Sequence, residues 1–191
     1  MFLILCGKSG SGKDAILKEL CKSMRYAPII SVTSRPIREG ETNGVEYEFV
    51  SKELFESFIK ANKLIEYRSY NTMVGGVEDT WYYGVLKGRP AYGRDYVVIL
   101  DLKGAGDFMA YYGKDHCLCV YVDADDQIRT ERAKNRGSFD ETEWNRRMEA
   151  DSKDFSEEQI KTVTDITIDN NADLRDAVEN VDGIFKSYFH E

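Results

Sequence analysis

The run FLILC, Phe2 to Cys6, passes without a break into GKSGSGKD, residues 7 to 14, and then into a helical stripe. An apolar strand that ends on a glycine-rich loop and turns straight into a helix is the opening of a strand–helix unit. The stripe is Ile16, Leu17, Leu20, Cys21 and Met24, which share one helix face. Two further apolar runs, Tyr96 to Leu100 and Leu118 to Val122, lack polar alternation and suit strands covered on both faces. Ile29 to Val32 and Ile166 to Ile168 are weaker candidates for the same sheet. A long final helix is marked by Leu174, Ala177, Val178, Val181, Ile184, Phe185 and Tyr188. This order predicts an α/β fold, a parallel sheet flanked by helices with right-handed crossovers.

Two stretches interrupt the alternation. Residues 34 to 83 read as short strands with one helix, Ser51 to Ala61; GETNG supplies turn residues and EYEFV alternates as a half-exposed strand. Residues 125 to 155 are strongly charged and helical, with Gly137 as a hinge or cap. With 191 residues and no linker or repeat, these read as insertions in one domain.

Composition narrows the function classes. The net charge of −8 argues against general nucleic-acid binding while permitting local basic pockets. No apolar run reaches membrane-spanning length, and the first residues lack a secretory signal's basic start and cleavage site. Cys6, Cys21, Cys117 and Cys119 fall in apolar runs or on an apolar stripe, which predicts buried thiols and a cytoplasmic setting.

The loop is nearly the phosphate-cradling pattern G-x-x-x-x-G-K-[ST]. Gly7, Gly10 and Gly12 permit the tight curve, Ser9 and Ser11 lie within it, and successive backbone N–H groups converge where the helix N-terminus adds positive potential. Lys13 supplies a point charge for the outer phosphates. The last position departs from the pattern: Asp14 stands where a hydroxyl normally meets magnesium. Two readings of Asp14 stand, a first-turn acid favourable to the helix dipole and a replacement ligand for Mg2+, directly or through water.

The stretch SVTSRPIREGETNGVEYEFV, residues 31 to 50, resembles the GMP-binding segment of guanylate kinases, and LIEYRSYN at 64 to 71, YYG at 82 to 84 and KNRG at 134 to 137 follow that family in order. The resemblance covers nearly all of the chain. It implies a P-loop NTPase-like core (about 1–33, 84–124 and 156–191), a GMP-binding insertion (about 34–83) and a helical lid (about 125–155). It also implies ATP-dependent phosphorylation of GMP, with Mg2+ and ATP as the phosphoryl donor. Arg35 and Arg38 then become ligands of the GMP phosphate, joined by the phenols of Tyr47 and Tyr83. Glu66 becomes the guanine-reading carboxylate, since an ionised carboxylate accepts both N1–H and N2–H and repels the N1 acceptor of adenine.

Ser31, Glu41 and Asp101 match further substrate-side positions, although a strand-end cap and a turn acid remain alternatives for Ser31 and Glu41. Asp101 stands alone where relatives carry two acids, so both base and metal remain open to it. Val85 replaces a hydroxyl residue common in relatives and removes one bond to guanine. The lid resemblance sends Arg132 and Arg147 to the phosphates, with Arg136 nearby, and leaves Arg129, Lys134 and Arg146 as solvated surface charges. Asn170 matches a position near the ATP adenine, beside the reading of an ordinary turn asparagine. The expected partners are GMP and ATP, with no nucleic acid or membrane, and the expected state is a monomer or homodimer. A non-catalytic interaction module of the same fold and a kinase for another nucleoside monophosphate are the alternatives.

Overall fold

Leu3, Ile4, Leu5 and Cys6 have no solvent contact, which is why the first strand carries no polar alternation. The computed structural model describes residues 1–38, 40–74, 77–88, 93–135 and 139–190. In chain order its elements begin with β1 (Phe2–Cys6), α1 (Lys13–Lys22), β2 (Tyr26–Pro28), β3 (Val32–Thr33), β4 (Glu48–Phe49) and α2 (Lys52–Lys60). Next come β5 (Leu64–Val74), β6 (Val77–Leu86), β7 (Asp95–Ile99), α3 (Leu102–Tyr112) and β8 (Cys117–Asp123). The chain ends with α4 (Asp126–Lys134), α5 (Glu141–Asp154), α6 (Glu157–Val163), β9 (Ile166–Asp169) and α7 (Leu174–His190). It divides into two compact units, Met1–Pro28 with Gly93–Glu191, and Ile29–Tyr92.

The first unit is built on a five-stranded sheet in the order β2-β7-β1-β8-β9, and every neighbouring pair is parallel. Alternate residues of β1 serve opposite faces. Leu3 and Leu5 join Ile16 and Leu20 of α1, and Val181 and Phe185 of α7, in one core. Phe2 instead meets the Phe108 and Tyr112 rings of α3 at 5.3 and 4.3 Å between centroids. Full burial of each such side chain stabilises by roughly 1.5–3 kcal/mol. Cys6, Cys117 and Cys119 are buried free thiols, and Cys21 is half-buried.

Three sequence expectations change here. The strand expected at Ile29 to Val32 is split: Tyr26–Pro28 is the edge of the parallel sheet, and Val32–Thr33 belongs to the second unit. An edge strand buries little, so only Tyr26 of β2 is buried and no apolar run announces it. Met24 lies beyond the end of α1, where extended Ser23 caps the helix, and it is 86% exposed. Tyr188 lies on α7 yet is largely exposed, because Ala177, Val181 and Phe185 carry the buried line of that helix.

The second unit is a mixed sheet in the order β4-β3-β6-β5, dominated by the long β5–β6 hairpin rather than by short strands. Its core is Val32, Phe55 and Leu64, with Phe58, Ile59 and Tyr82 packed around them. Helix α2 begins where the Ser51 hydroxyl accepts from the Leu54 N–H at 3.2 Å. EYEFV contributes only the two-residue strand β4. Among the described residues no helix is long and apolar enough to cross a membrane.

Candidate functional site

The glycine loop lies at the carboxyl end of β1, between the buried strand and α1. Gly12 precedes the helix with φ 98° and has no side chain to cap it. First-turn N–H groups of the ten-residue helix are therefore left to bind an anion. Gly10, at φ 78°, lies so close to the next elements that a Cβ there would meet the Arg129 carbonyl oxygen at 2.8 Å and the Trp144 ring at 3.1 Å. A Cβ at Gly12 would collide with the Asn170 amide. Lys13 folds back over the loop: its Nζ donates to the carbonyls of Gly7 and Lys8 at 2.6 and 2.9 Å. Burial pulls the Lys13 pKa below the ordinary lysine value, against the opposing fields of Asp14 and Asp151. Asp14 is exposed in the first turn of α1 and makes no hydrogen bond or ion pair with another described residue.

Helix α4 brings Arg132 to this loop. Arg132 donates through Nη2 to the Asn170 carbonyl at 2.8 Å and through Nη1 to the Ser11 carbonyl at 3.4 Å. Asn170 is buried, and its amide donates to the same Ser11 carbonyl at 2.7 Å. It braces the loop from behind, while its Oδ1 is buried with no hydrogen bond among the described residues. Arg147 lies one turn beyond Glu143 and donates to it at 2.8 Å. Arg136 and Gly137 lie outside the described residues.

Arg129 corrects the expectation of a solvated charge. Only 1% exposed, it pairs through Nη1 with Asp151 Oδ2 at 3.0 Å. Asp151 in turn accepts from the Ser9 N–H at 2.8 Å and from the Ser9 hydroxyl at 3.3 Å. Helices α4 and α5 are thus tied to the glycine loop by a buried charged chain that sequence reasoning missed. Its ends are far apart in sequence, and an arginine within a charged helix carries no signal of burial.

In the second unit Arg35 is buried and held as a fork. Its Nη1 and Nη2 donate to the two carboxylate oxygens of Glu41 at 2.9 and 2.8 Å. Nη1 also donates to the Pro36 carbonyl at 2.8 Å. Glu41 additionally accepts from the Arg38 N–H at 2.8 Å, while the Arg38 side chain is exposed. Burial works against the Glu41 charge, but the bonds from Arg35 and Arg38 outweigh it and hold the carboxyl below its ordinary range. The Arg35 guanidinium lies 5.5 Å from the Tyr47 ring centroid, and Tyr47 meets Tyr83 edge-on at 5.8 Å. Arg35, Glu41, Tyr47 and Tyr83 are therefore one cluster.

Glu66 reaches the other end of this face through a backbone irregularity. Leu64 pairs with Leu86 but Glu66 pairs with Val85, so Ile65 is an extra residue on β5. Strict alternation would turn Glu66 toward the α2 core with Leu64. The bulge turns it instead to the face carrying Val85 and Tyr83. There Glu66 is buried, with Arg68 Nη1 at 3.5 Å from its Oε2. Ser31 is half-buried just before β3, and its carbonyl accepts from the Glu48 N–H at 2.9 Å. Asp101 belongs to the first unit, where it caps α3 by accepting from the Gly104 N–H at 2.7 Å. Among the described residues no group of three or more His, Cys, Asp or Glu is clustered to hold a metal.

Comparison with known proteins agrees along the chain. Residues 1–188 match the family model described as guanylate kinase. The chain is 32% identical over 154 residues to a guanylate kinase of Chlorobium luteolum, covering 77% of this chain and 73% of that protein. Against a guanylate kinase of Clostridioides difficile it is 27% identical over 190 residues, covering 98% and 87%. The fold is similar to the crystal structure of guanylate kinase from Anaplasma phagocytophilum, with a TM-score of 0.72 at 20% identity, over 100% of this chain and 87% of that one. A parallel sheet opening on a lysine-bearing glycine loop, matched by the family model from end to end, leads to one conclusion: the chain belongs to the guanylate kinase family.

Proposed function

We infer that this protein transfers the γ-phosphoryl group of ATP to GMP, giving ADP and GDP. The observation that carries the reading is the joint anchoring of Lys13 and Arg132 on the backbone of the glycine loop. An interaction module has no use for two cations held at an anion cradle.

The roles follow from charge. A phosphate oxygen of GMP attacks the γ-phosphorus while the bond to the ADP oxygen breaks, so no protein nucleophile is needed. The loop from Gly7 through Ser9, Gly10 and Ser11 to Gly12 cradles the ATP phosphates with backbone donors such as those of Gly10 and Gly12, the Ser9 N–H being held by Asp151 and the Ser11 N–H by the Lys8 carbonyl. Lys13, Arg132 and Arg147 offset the charge spread over the transferring group. Arg136 and Asn170 are assigned to the ATP side, Asn170 through its support of the loop. Arg35, Arg38, Tyr47 and Tyr83 hold the GMP phosphate, and Glu41 orients Arg35 for that task. Glu66, with Ser31, reads guanine. Asp101 is the remaining substrate-side acid.

Asp14 fits a Mg2+ ligand: a hard oxygen, exposed, beside the phosphate loop and uncommitted to another described residue. With no acid cluster around it among the described residues, the ion would take most of its oxygens from nucleotide phosphates and water. When bound it would neutralise charge on the β- and γ-phosphates. We propose that the chain works as one catalytic domain in the cytoplasm, consistent with its four free cysteines.

The test is ADP formation with ATP, Mg2+ and each of GMP, dGMP, AMP and UMP. GMP is expected to lead, with Glu66→Gln sharply reducing the preference over AMP. Nucleotide binding without ADP formation would establish the non-catalytic alternative instead.

A further inference from the structure

We propose that Arg68 is a second guanine-reading residue, donating to the O6 and N7 edge of the base while Glu66 accepts from N1–H and N2–H. The inference rests on the reading of Glu66 as the guanine-binding carboxylate.

Three observations within the β5–β6 hairpin carry it. First, Glu66 and Arg68 are two residues apart on β5, beyond the bulge at Ile65, and so share a face. Directly across the ladder stand Val85 opposite Glu66 and Tyr83 opposite Arg68. Second, the two charged groups meet, with Arg68 Nη1 3.5 Å from Glu66 Oε2, the carboxylate almost wholly buried and the arginine 22% exposed. Third, the Arg68 guanidinium carbon lies 5.9 Å from the centroid of the Tyr83 ring, which limits where the planar fork can turn.

The chemistry follows from those positions. A carboxylate this buried needs a nearby cation to stay ionised, and only the ionised form accepts both guanine donors. Arg68 provides that cation at the flank of the carboxylate. On guanine, the flank of N1–H is O6, followed by N7, and both are acceptors. A guanidinium carries five N–H donors in a planar fork, a geometry that can face a carboxylate and a base edge together. Arginine on O6 and N7 is the pairing guanine most often receives from proteins. The Val85 side chain, opposite Glu66, has no polar atom and cannot serve O6, and we assign that donor to Arg68. Adenine places an amino donor where guanine has O6, and Arg68 therefore adds to the rejection of AMP.

The experiment compares kcat/KM for GMP, 6-thio-GMP and 7-deaza-GMP in the wild type, Arg68→Met, Arg68→Lys and Glu66→Gln. The two analogues weaken O6 and remove N7 while keeping N1–H and the amino group. The wild type is expected to prefer GMP over each analogue, and Arg68→Met to lose about 5- to 150-fold on GMP, the worth of one bidentate base contact. Arg68→Met is also expected to lose the preference between GMP and the analogues, while Glu66→Gln keeps it. Should Arg68→Met fail to fold, Arg68→Lys carries the same comparison, because lysine keeps the charge and lacks the fork. An equal loss on all three nucleotides marks an arginine that acts only on Glu66 and overturns the proposal. If instead Glu66→Gln leaves GMP turnover unchanged, guanine does not bind at this face and the parent reading fails as well.

Discussion

The Asp151 carboxylate holds Ser9, a residue of the phosphate loop, at two points: its backbone N–H at 2.8 Å and its hydroxyl at 3.3 Å. The same carboxylate neutralises Arg129, which is 1% exposed. Removing Asp151 leaves the buried Arg129 guanidinium with only the exposed Asp126, at 3.1 Å, as an anionic partner, at a cost on the order of 3 kcal/mol. Asp151→Ala is expected to lower Tm by about 6–12 °C for a chain of this size. The double variant Arg129→Met with Asp151→Ala removes both charges and is expected to recover much of that loss. Both single and double variants lose the tie to Ser9, so KM for ATP is expected to rise about tenfold in each. Full recovery of KM in the double variant would show that Asp151 serves only its arginine.

Lys13 is expected to dominate turnover without supporting the fold. Its Nζ contacts are two loop carbonyls and, at 3.5 Å, the Ser11 hydroxyl. Lys13→Met is expected to cut kcat/KM by roughly 10²- to 10³-fold, the size of effect seen when one donor to a transition-state charge is lost. Circular dichroism checks that the fold persists.

Much of this arrangement was legible in the sequence. Strands β1, β7 and β8 follow from unbroken apolar runs, β9 from the weaker run Ile166 to Ile168, and α2 from the helix read over Ser51 to Ala61. What the sequence hid depends on partners distant along the chain. Arg129 looks like any charged residue of α4 until Asp151, on α5, is seen to enclose it. The bulge at Ile65 is equally silent, since LIEYRSYN reads as plain strand, yet it decides which face receives Glu66. Asp101 has a capping task on α3 that resemblance alone does not suggest.

Asp14 gives a metal-dependent prediction. If its carboxylate supplies an oxygen to Mg2+, Asp14→Ala needs more magnesium for half-maximal rate, while Asp14→Ser retains most activity. Magnesium titrations at saturating ATP and GMP make the comparison. Identical curves for wild type and Asp14→Ala would reduce Asp14 to a helix-dipole acid.

Two of the carboxylates held below their ordinary range, Glu41 and Glu143, contribute to the acid limb of stability. Glu41 is held below its ordinary value of 4.5, since its bonds to Arg35 and Arg38 outweigh burial. Glu143 is lowered to about 2, chiefly by its hydrogen bonds from Arg146 and then Arg147, against the opposing effect of burial. A depressed carboxylate contributes stability that is complete above its unfolded pKa and disappears as pH falls through the folded value. Thermal melts between pH 7 and 2 are therefore expected to fall below about pH 4.5. Glu41→Gln and Glu143→Gln are each expected to flatten that decline, with Glu41→Gln also lowering Tm at pH 7 because Arg35 stays buried.

The central claim is phosphoryl transfer between two nucleotides, and phosphorus NMR of a mixture of ATP, Mg2+, GMP and enzyme tests it most directly. The account predicts that GDP and ADP resonances rise in equal amounts as ATP and GMP fall, and that Lys13→Met slows both by the same roughly 10²- to 10³-fold. Free phosphate appearing with ADP while GMP stays constant, or no change in any resonance, would contradict it.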